Sequence, residues 1–289
     1  MENTVVKTLI YNKQVRLLFV DNTRLINNIL RLNKETNDML NHALGKTVSV
    51  MSLLAATLKG DQRISLQMMM SDRKYKIFAD ADASGNVRGY LSGELRKSPY
   101  NRTNKISLDQ LVGQKGTIRV IKGSAMNQFT GIIDMPHRNI VDDISHYFVQ
   151  SEQTPTYIKA DITFESKHVA LFSYAVFAQL LPGAPPELIE EIAHIVNRNQ
   201  QFFTDGNKYS GNHLEAKLSE LFKDVKIIGY SPVQFFCGCS KEMLYGMIRA
   251  LSREELKQAM NKKEHVGTMC HICGRTYNYD QTDLQSLFR

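Results

Sequence analysis

Two runs rich in β-branched and other large apolar residues, Val5–Tyr11 and Val15–Val20, flank the turn residues Asn12-Lys13, so the chain opens on a pair of short strands. After Asp21, a residue able to cap a helix, the apolar spacing becomes helical at Leu25, Ile29 and Leu32. A longer helical pattern runs from Thr36 to Leu58 through Leu40, Leu44, Val48, Met51 and Leu54, with Gly60 as its stop. Ile64–Met70, Tyr75–Ala81 and Val87–Ser92 read as strands, separated by turn chemistry at Ser71-Asp72 and Ser84-Gly85-Asn86. Within the first of these, Met68-Met69-Met70 must alternate in direction, which makes core filling a better reading than an adaptable binding surface. Residues 93–115 are polar, with room for a short helix at Leu108–Val112. Strands follow at Thr117–Lys122 and Phe129–Asp134. A helix at Asn139–Gln150 then carries Ile140, Ile144 and Phe148 on one face and stops before Pro155. Tyr157–Glu165 and Val169–Ala178 complete an α+β domain over residues 1–180, its sheet mostly antiparallel.

Pro182, Gly183, Pro185 and Pro186 mark a boundary. Beyond it a helix from about Glu187 to Phe203 carries Leu188, Ile192, Ile195 and Val196. Gly206–Gly211 reads as a loop and His213–Phe222 as a second helix. This linker, 181–232, is amphipathic with little core of its own, so its apolar face must lie on something else. Residues 233–289 form a third unit, with helical stretches at Lys241–Leu251 and Arg253–Met260 and a short strand at Arg275–Asp280. At 57 residues that unit is near the size at which a hydrophobic core alone is marginal.

Composition narrows the class. The 289 residues are 43% hydrophobic and 22% charged, as expected of a soluble protein. The N-terminus is interrupted by Asn12, Lys13, Gln14 and Arg16, and the longest apolar run, Val48–Leu58, contains Ser49, Ser52 and Thr57. Neither a secretory signal nor a membrane span is present in that pattern, so a cytoplasmic protein is expected. The net charge of +7 belongs to residues 1–180, with 23 basic against 16 acidic side chains; 233–289 carry 8 against 6. Dispersed surface lysine accounts for such an excess, with attraction to an anionic partner as the alternative. Gly45-Lys46-Thr47 is no phosphate loop: position 40 is leucine where the motif requires glycine, and the triplet lies inside a helical pattern.

All four cysteines sit in two short motifs, Cys237-Gly238-Cys239 and Cys270-His271-Ile272-Cys273. In a reducing compartment such a cluster binds metal or senses redox state rather than stapling a fold. Four thiolates suit tetrahedral Zn²⁺ at about 2.3 Å. His265 and His271 are substitute ligands in principle, but four sulfurs already fill the shell, and a closed shell argues against zinc hydrolysis. A plain structural zinc site is the simplest alternative, and no enzyme activity is expected.

The CxC adds a second property. Two residues of extended chain span about 7 Å, and a disulfide needs Cα atoms roughly 4.4–6.8 Å apart, so Cys237 and Cys239 can pair with modest bending at Gly238. Cys270 and Cys273 have oxidoreductase spacing. Of three connectivities, pairing within each motif needs the least rearrangement. Structural zinc contributes on the order of 10–16 kcal/mol to a small domain, whereas disulfides closing such short loops restrict the unfolded chain very little. Oxidation that expels zinc should therefore leave the unit less folded.

These residues carry a family likeness. Phe236-Cys237-Gly238-Cys239-Ser240 followed by Cys270-His271-Ile272-Cys273 resembles the redox-regulated heat shock protein 33 chaperonin family. So do Leu53–Gly60 with Arg63, Leu66-Gln67, Val87-Arg88-Gly89-Tyr90, Ser151–Pro155 and Gln179–Ala184. The resemblance implies an ATP-independent holdase that captures unfolding or oxidatively damaged proteins. It implies one zinc per chain held by Cys237, Cys239, Cys270 and Cys273 in an inactive reduced state. Oxidation would form the disulfides Cys237–Cys239 and Cys270–Cys273, release zinc, loosen the unit and its linker, and give an active homodimer. Exposed apolar residues of Leu188–Phe203 would be part of what is uncovered. Two other readings remain: a zinc-containing nucleic-acid-binding protein, motivated by the basic first domain, and a thiol oxidoreductase. Against the former, a metallated cysteine unit is nearly neutral, and Tyr277 with Tyr279 is its one close aromatic pair beside a basic residue.

Overall fold

The computed structural model describes residues 3–33, 36–102, 106–166, 168–204, 211–250, 254, 256, 258, 266–270 and 272–286. The expected opening hairpin forms as β1 (Thr4–Ile10) and β2 (Val15–Asp21), turned through left-handed Tyr11, Asn12 and Lys13. Helix α1 (Thr23–Leu32) starts one residue later than the expected Asp21 cap, because Asn22 occupies the cap position. The Asp21 carboxylate instead accepts from the backbone and hydroxyl of Thr23. Asn22 turns inward to a buried network with Ser49, Ser52 and Ser173.

Helix α2 (Asp38–Ala55) is the centre of the molecule and is buried on nearly every side. Such a helix must meet apolar partners all round, and two sheets supply them. One is five-stranded and antiparallel, in the order β10-β1-β2-β9-β8, with β8 (Thr156–Ser166), β9 (Val169–Leu180) and β10 (Lys226–Pro232). The other is six-stranded, β11-β5-β4-β3-β6-β7. It is built from β3 (Arg63–Met69), β4 (Lys76–Asp82), β5 (Asn86–Leu91), β6 (Thr117–Gly123), β7 (Gln128–Asp134) and β11 (Gln234–Phe235). Among the described residues, only the β11–β5 pairing is parallel. Two glycines let α2 approach both layers. A Cβ on Gly45 would stand 2.2 Å from Ile162 Cδ1, and one on Gly89 would stand 2.4 Å from Val48 Cγ2. Gly45 is thus a packing glycine. Met68 and Met70 are buried, with Met69 on the opposite face, as alternation requires.

Helix α3 (Gly93–Arg96) and a 3₁₀ turn at Pro99–Asn101 lie in the stretch whose polar composition reads as loop. Helices α4 (Leu108–Val112) and α5 (Ile140–Ser151) form as expected. The helix expected from Glu187 to Phe203 is two, α6 (Leu188–Arg198) and α7 (Gln200–Thr204), because Asn199 ends the first by donating its side-chain amide to the Ile195 carbonyl. With α8 (Gly211–Ser219) they lay Ile192, Val196, Phe203, Leu214 and Leu218 on the outer face of the five-stranded sheet, against Val6, Leu17, Phe19, Tyr174 and Val176. The linker therefore has a specific bed. Strand β10 has no signal in the apolar spacing, yet it closes that sheet by pairing with β1 from Thr4↔Pro232 to Leu9↔Lys226.

After β11 come the first cysteine pair, a 3₁₀ turn at Glu242–Leu244 and α9 (Tyr245–Arg249). The hairpin β12 (Val266–Met269) and β13 (Thr276–Tyr279) follows, with a last helix at Gln281–Ser286. The expected Gly206–Gly211 loop, apart from Gly211 itself, and most of the Arg253–Met260 helix lie outside the described residues. The described core of this unit is Ile248, Leu256, Tyr279 and Leu284, far smaller than the cores of the two sheets.

Candidate metal centre

Cys237 and Cys239 follow directly on β11, whose pairing to β5 anchors them at the edge of the six-stranded sheet. Gly238 between them adopts a left-handed conformation, φ 69°. Cys270 and Cys273 sit in the turn joining β12 to β13. There the Cys270 N–H donates to the Arg275 carbonyl and the Gly274 N–H to the Cys270 carbonyl, both at 2.9 Å. Gly274 is left-handed too, and a Cβ there would lie 3.3 Å from the Leu32 carbonyl and 3.4 Å from the Tyr90 ring. The turn is therefore seated directly on the first domain.

The four sulfurs all lie within 4.8 Å of one another. Two sulfur contacts run across the motifs, 3.7 Å for Cys237–Cys270 and 3.6 Å for Cys239–Cys273. A tetrahedron with metal–sulfur bonds near 2.3 Å has edges of about 3.8 Å, so the donor set fits a zinc-sized ion. All four are free thiols, Cys270 and Cys273 buried and the other two half-buried. Burial pushes the Cys237 thiol up to about 11 and that of Cys273 higher still. Burial acts on Cys270 in the same sense but is outweighed by the backbone N–H groups of Ile272 and Cys273, which bring it below its ordinary value. Four clustered thiolates, two of them buried, need a cation beside them, which is what a thiolate-bound metal provides. His265 and His271, the substitute ligands, lie outside the described residues.

Two contacts reach the centre from side chains that spacing alone does not single out. Tyr277 places its hydroxyl 2.8 Å from the Cys239 carbonyl, to which it donates, and 3.1 Å from the Cys239 sulfur. Arg88, held by Asp80, donates to the Cys237 carbonyl at 3.1 Å and so ties the centre to β5. Ile272, between the second pair of cysteines, helps line a hollow of about 140 Å³ with Gln67, Phe78, Arg119 and Ile121 on the outer face of the six-stranded sheet. Arg96 reaches Met269 and stacks over Tyr90. Tyr279 is buried and donates to the Lys241 carbonyl, so Tyr277 and Tyr279 face inward rather than forming a platform for bases.

The family model of the Hsp33 protein matches residues 3–280, nearly the whole chain and all four cysteines. The chain belongs to the Hsp33 family. Two curated relatives called 33 kDa chaperonin illustrate the spread within it. That of Oceanobacillus iheyensis is 28% identical over 290 residues, covering 99% of each chain. That of Halalkalibacterium halodurans is 28% identical over 293 residues, covering 100% of this chain and 99% of the relative. The crystal structure of the Hsp33 homolog from Thermotoga maritima superposes with a TM-score of 0.78 at 17% identity, over 99% of this chain and 97% of that one, which establishes a common fold. The Val87-Arg88-Gly89-Tyr90 stretch that resembles Hsp33 in sequence supplies three of the contacts above: Arg88 to Cys237, Gly89 to α2 and Tyr90 beside Gly274. Among the described residues, no helix of this Hsp33 member is long and apolar enough to cross a membrane.

Proposed function

We propose that this Hsp33 member is a redox-regulated, ATP-independent holdase of the cytoplasm and not an enzyme. It would capture unfolding or oxidatively damaged proteins and be inactive while Cys237, Cys239, Cys270 and Cys273 hold one zinc ion. One observation carries the reading: four thiols converge to metal-ligand distances in a unit whose described core is only four apolar side chains. Bound there, zinc would supply the cross-link that so small a core lacks. Its working parts would be the α+β domain 1–180, the linker 181–232 and the redox unit 233–289.

Each cysteine pair, Cys237–Cys239 and Cys270–Cys273, gives two electrons to one peroxide, whose oxygens leave as water as the S–S bond forms. That would leave none of the four sulfurs as a thiolate able to hold a zinc ion. Pairing within each motif would replace the contacts that now run across the motifs, Cys237–Cys270 and Cys239–Cys273, and with the shared metal gone the two segments would come apart. Separation would withdraw Gly274 and Ile272 from the six-stranded sheet and free the chain that holds the linker against β1, β2 and β9. The apolar bed now under Ile192, Val196 and Phe203 would then be open to clients, with homodimerisation following exposure. Peroxide with mild heat should release one zinc per chain, consume four thiols and switch on suppression of client aggregation. Zinc release and full thiol oxidation with no suppression would sink the proposal. Peptide mapping that finds Cys237–Cys270 or Cys239–Cys273 bridges would overturn the pairing alone.

A further inference from the structure

Cys239 differs from the other three sulfurs in what covers it. Cys270 and Cys273 are buried by the hairpin turn that carries them, and Cys237 is tied through its carbonyl to Arg88. Cys239 is half-buried, and the Tyr277 hydroxyl stands against its sulfur. Among the described residues, no other hydroxyl makes such a bond to any of the four sulfurs. Tyr277 is fixed from behind, since β13 pairs with β12 and sets it opposite Thr268. Residues i and i+2 of a strand share a face, and Tyr279 on that face makes a parallel bond to the Lys241 carbonyl, at 2.9 Å, without touching a sulfur. The strand that follows one cysteine pair thus grips the backbone that follows the other.

A phenol has one proton, and two acceptors lie within its reach, the Cys239 carbonyl at 2.8 Å and the Cys239 sulfur at 3.1 Å. A metal-bound thiolate carries negative charge, and hydrogen bonds to charged acceptors are about twice as strong as neutral ones. A hydroxyl that shares its proton between the carbonyl and the sulfur leaves the sulfur with less electron density to offer an electrophile.

We infer that Tyr277 is a positioning residue of the cysteine centre, which orients Cys239 as a ligand and shields its sulfur from oxidants and electrophiles. This rests on the reading of the four cysteines as one metal-binding redox centre. The test uses the full-length zinc-loaded protein, the variants Tyr277→Phe and Tyr279→Phe, and N-ethylmaleimide as the electrophile, with labelling at each cysteine followed by peptide mass spectrometry. Zinc transfer to a chromogenic chelator is recorded alongside. Phenylalanine keeps the ring and removes only the hydroxyl, so both variants retain the packing of the hairpin. Tyr277→Phe should speed labelling of Cys239 by about tenfold relative to Cys270 and Cys273, the loss expected for one hydrogen bond to a charged acceptor. Zinc transfer should accelerate with it, and Tyr279→Phe should leave the ratio among the cysteines unchanged. Equal acceleration at all four cysteines, or no change at Cys239, would overturn the inference and leave the metal centre standing. A wild-type protein that carries no zinc would overturn both.

Discussion

Removing the Phe203 side chain tests whether the linker is held by its apolar face. Phe203 is 1% exposed on the outer face of the five-stranded sheet. It meets Phe19 edge-on at 5.8 Å and Phe202 at 5.1 Å. Truncation of a fully buried phenylalanine costs about 3–5 kcal/mol, in lost transfer energy and in the cavity left behind. If the linker opens as a unit, that cost falls on the closed linker and the opening constant rises roughly 100- to 4,000-fold. Hydrogen exchange on zinc-loaded Phe203→Ala should show that acceleration in the amides of α6, α7 and α8. Those of α2, β3 and β4 should keep their wild-type rates, and zinc content should not change. On the proposed function, the same variant should suppress client aggregation without any oxidant. Unchanged exchange in the linker would refute the packing argument. Equal acceleration throughout the molecule would show that the linker is an inseparable part of the first domain and not a releasable cover.

Ile272→Lys would place a cation into the hollow that Arg119 already lines, so the redox unit should lift from the six-stranded sheet with zinc still bound, seen as a larger radius of gyration in small-angle scattering and an unchanged metal content. Gly89→Ala would drive a methyl into Val48 and Leu44; overpacking of about 1–3 kcal/mol should lower the Tm by roughly 2–12 °C, and adding Val48→Ala should restore part of it. Burial, with Lys46 in support, holds His42 below its ordinary value, so the neutral ring is the form the fold favours. Its contribution is complete above about pH 6.5 and is lost as pH falls from there through the lower folded value. Denaturation midpoints should fall on mild acidification, and His42→Gln should flatten that fall.

The strands of both sheets are legible because turn residues punctuate them, and Asn12-Lys13 or Ser84-Gly85-Asn86 each leave one sensible reading. The cysteine centre is legible for a different reason: four thiols concentrated in two motifs have few other uses in a reducing compartment. What escapes the sequence is non-local. β10 alternates exposed and half-buried positions, contains Gly229 and ends at Pro232, and it is a strand because β1 lies beside it. Asn22 looks like one more polar residue near a helix start until Ser49, Ser52 and Ser173 converge on it. Tyr277 reads equally well as a base-stacking aromatic or as part of a core, and only the approach of Cys239, 38 residues away, decides it. The break at Asn199 is a local event that apolar periodicity cannot register, since α6 and α7 keep their apolar faces on the same sheet.

The β1–β10 pairing has a consequence for synthesis. Thr4 is partnered by Pro232, so the second edge of β1 stays open until the linker has been made. At about 5–20 residues per second, a ribosome needs roughly 10–45 s to cover that interval. For that time the nascent chain presents a bare strand edge and the uncovered apolar side chains of Val6 and Phe19, joined late in the interval by Tyr174, the combination that invites association with neighbouring chains. A protein proposed to rescue others from aggregation passes through a stage of its own birth in which it is exposed to the same hazard.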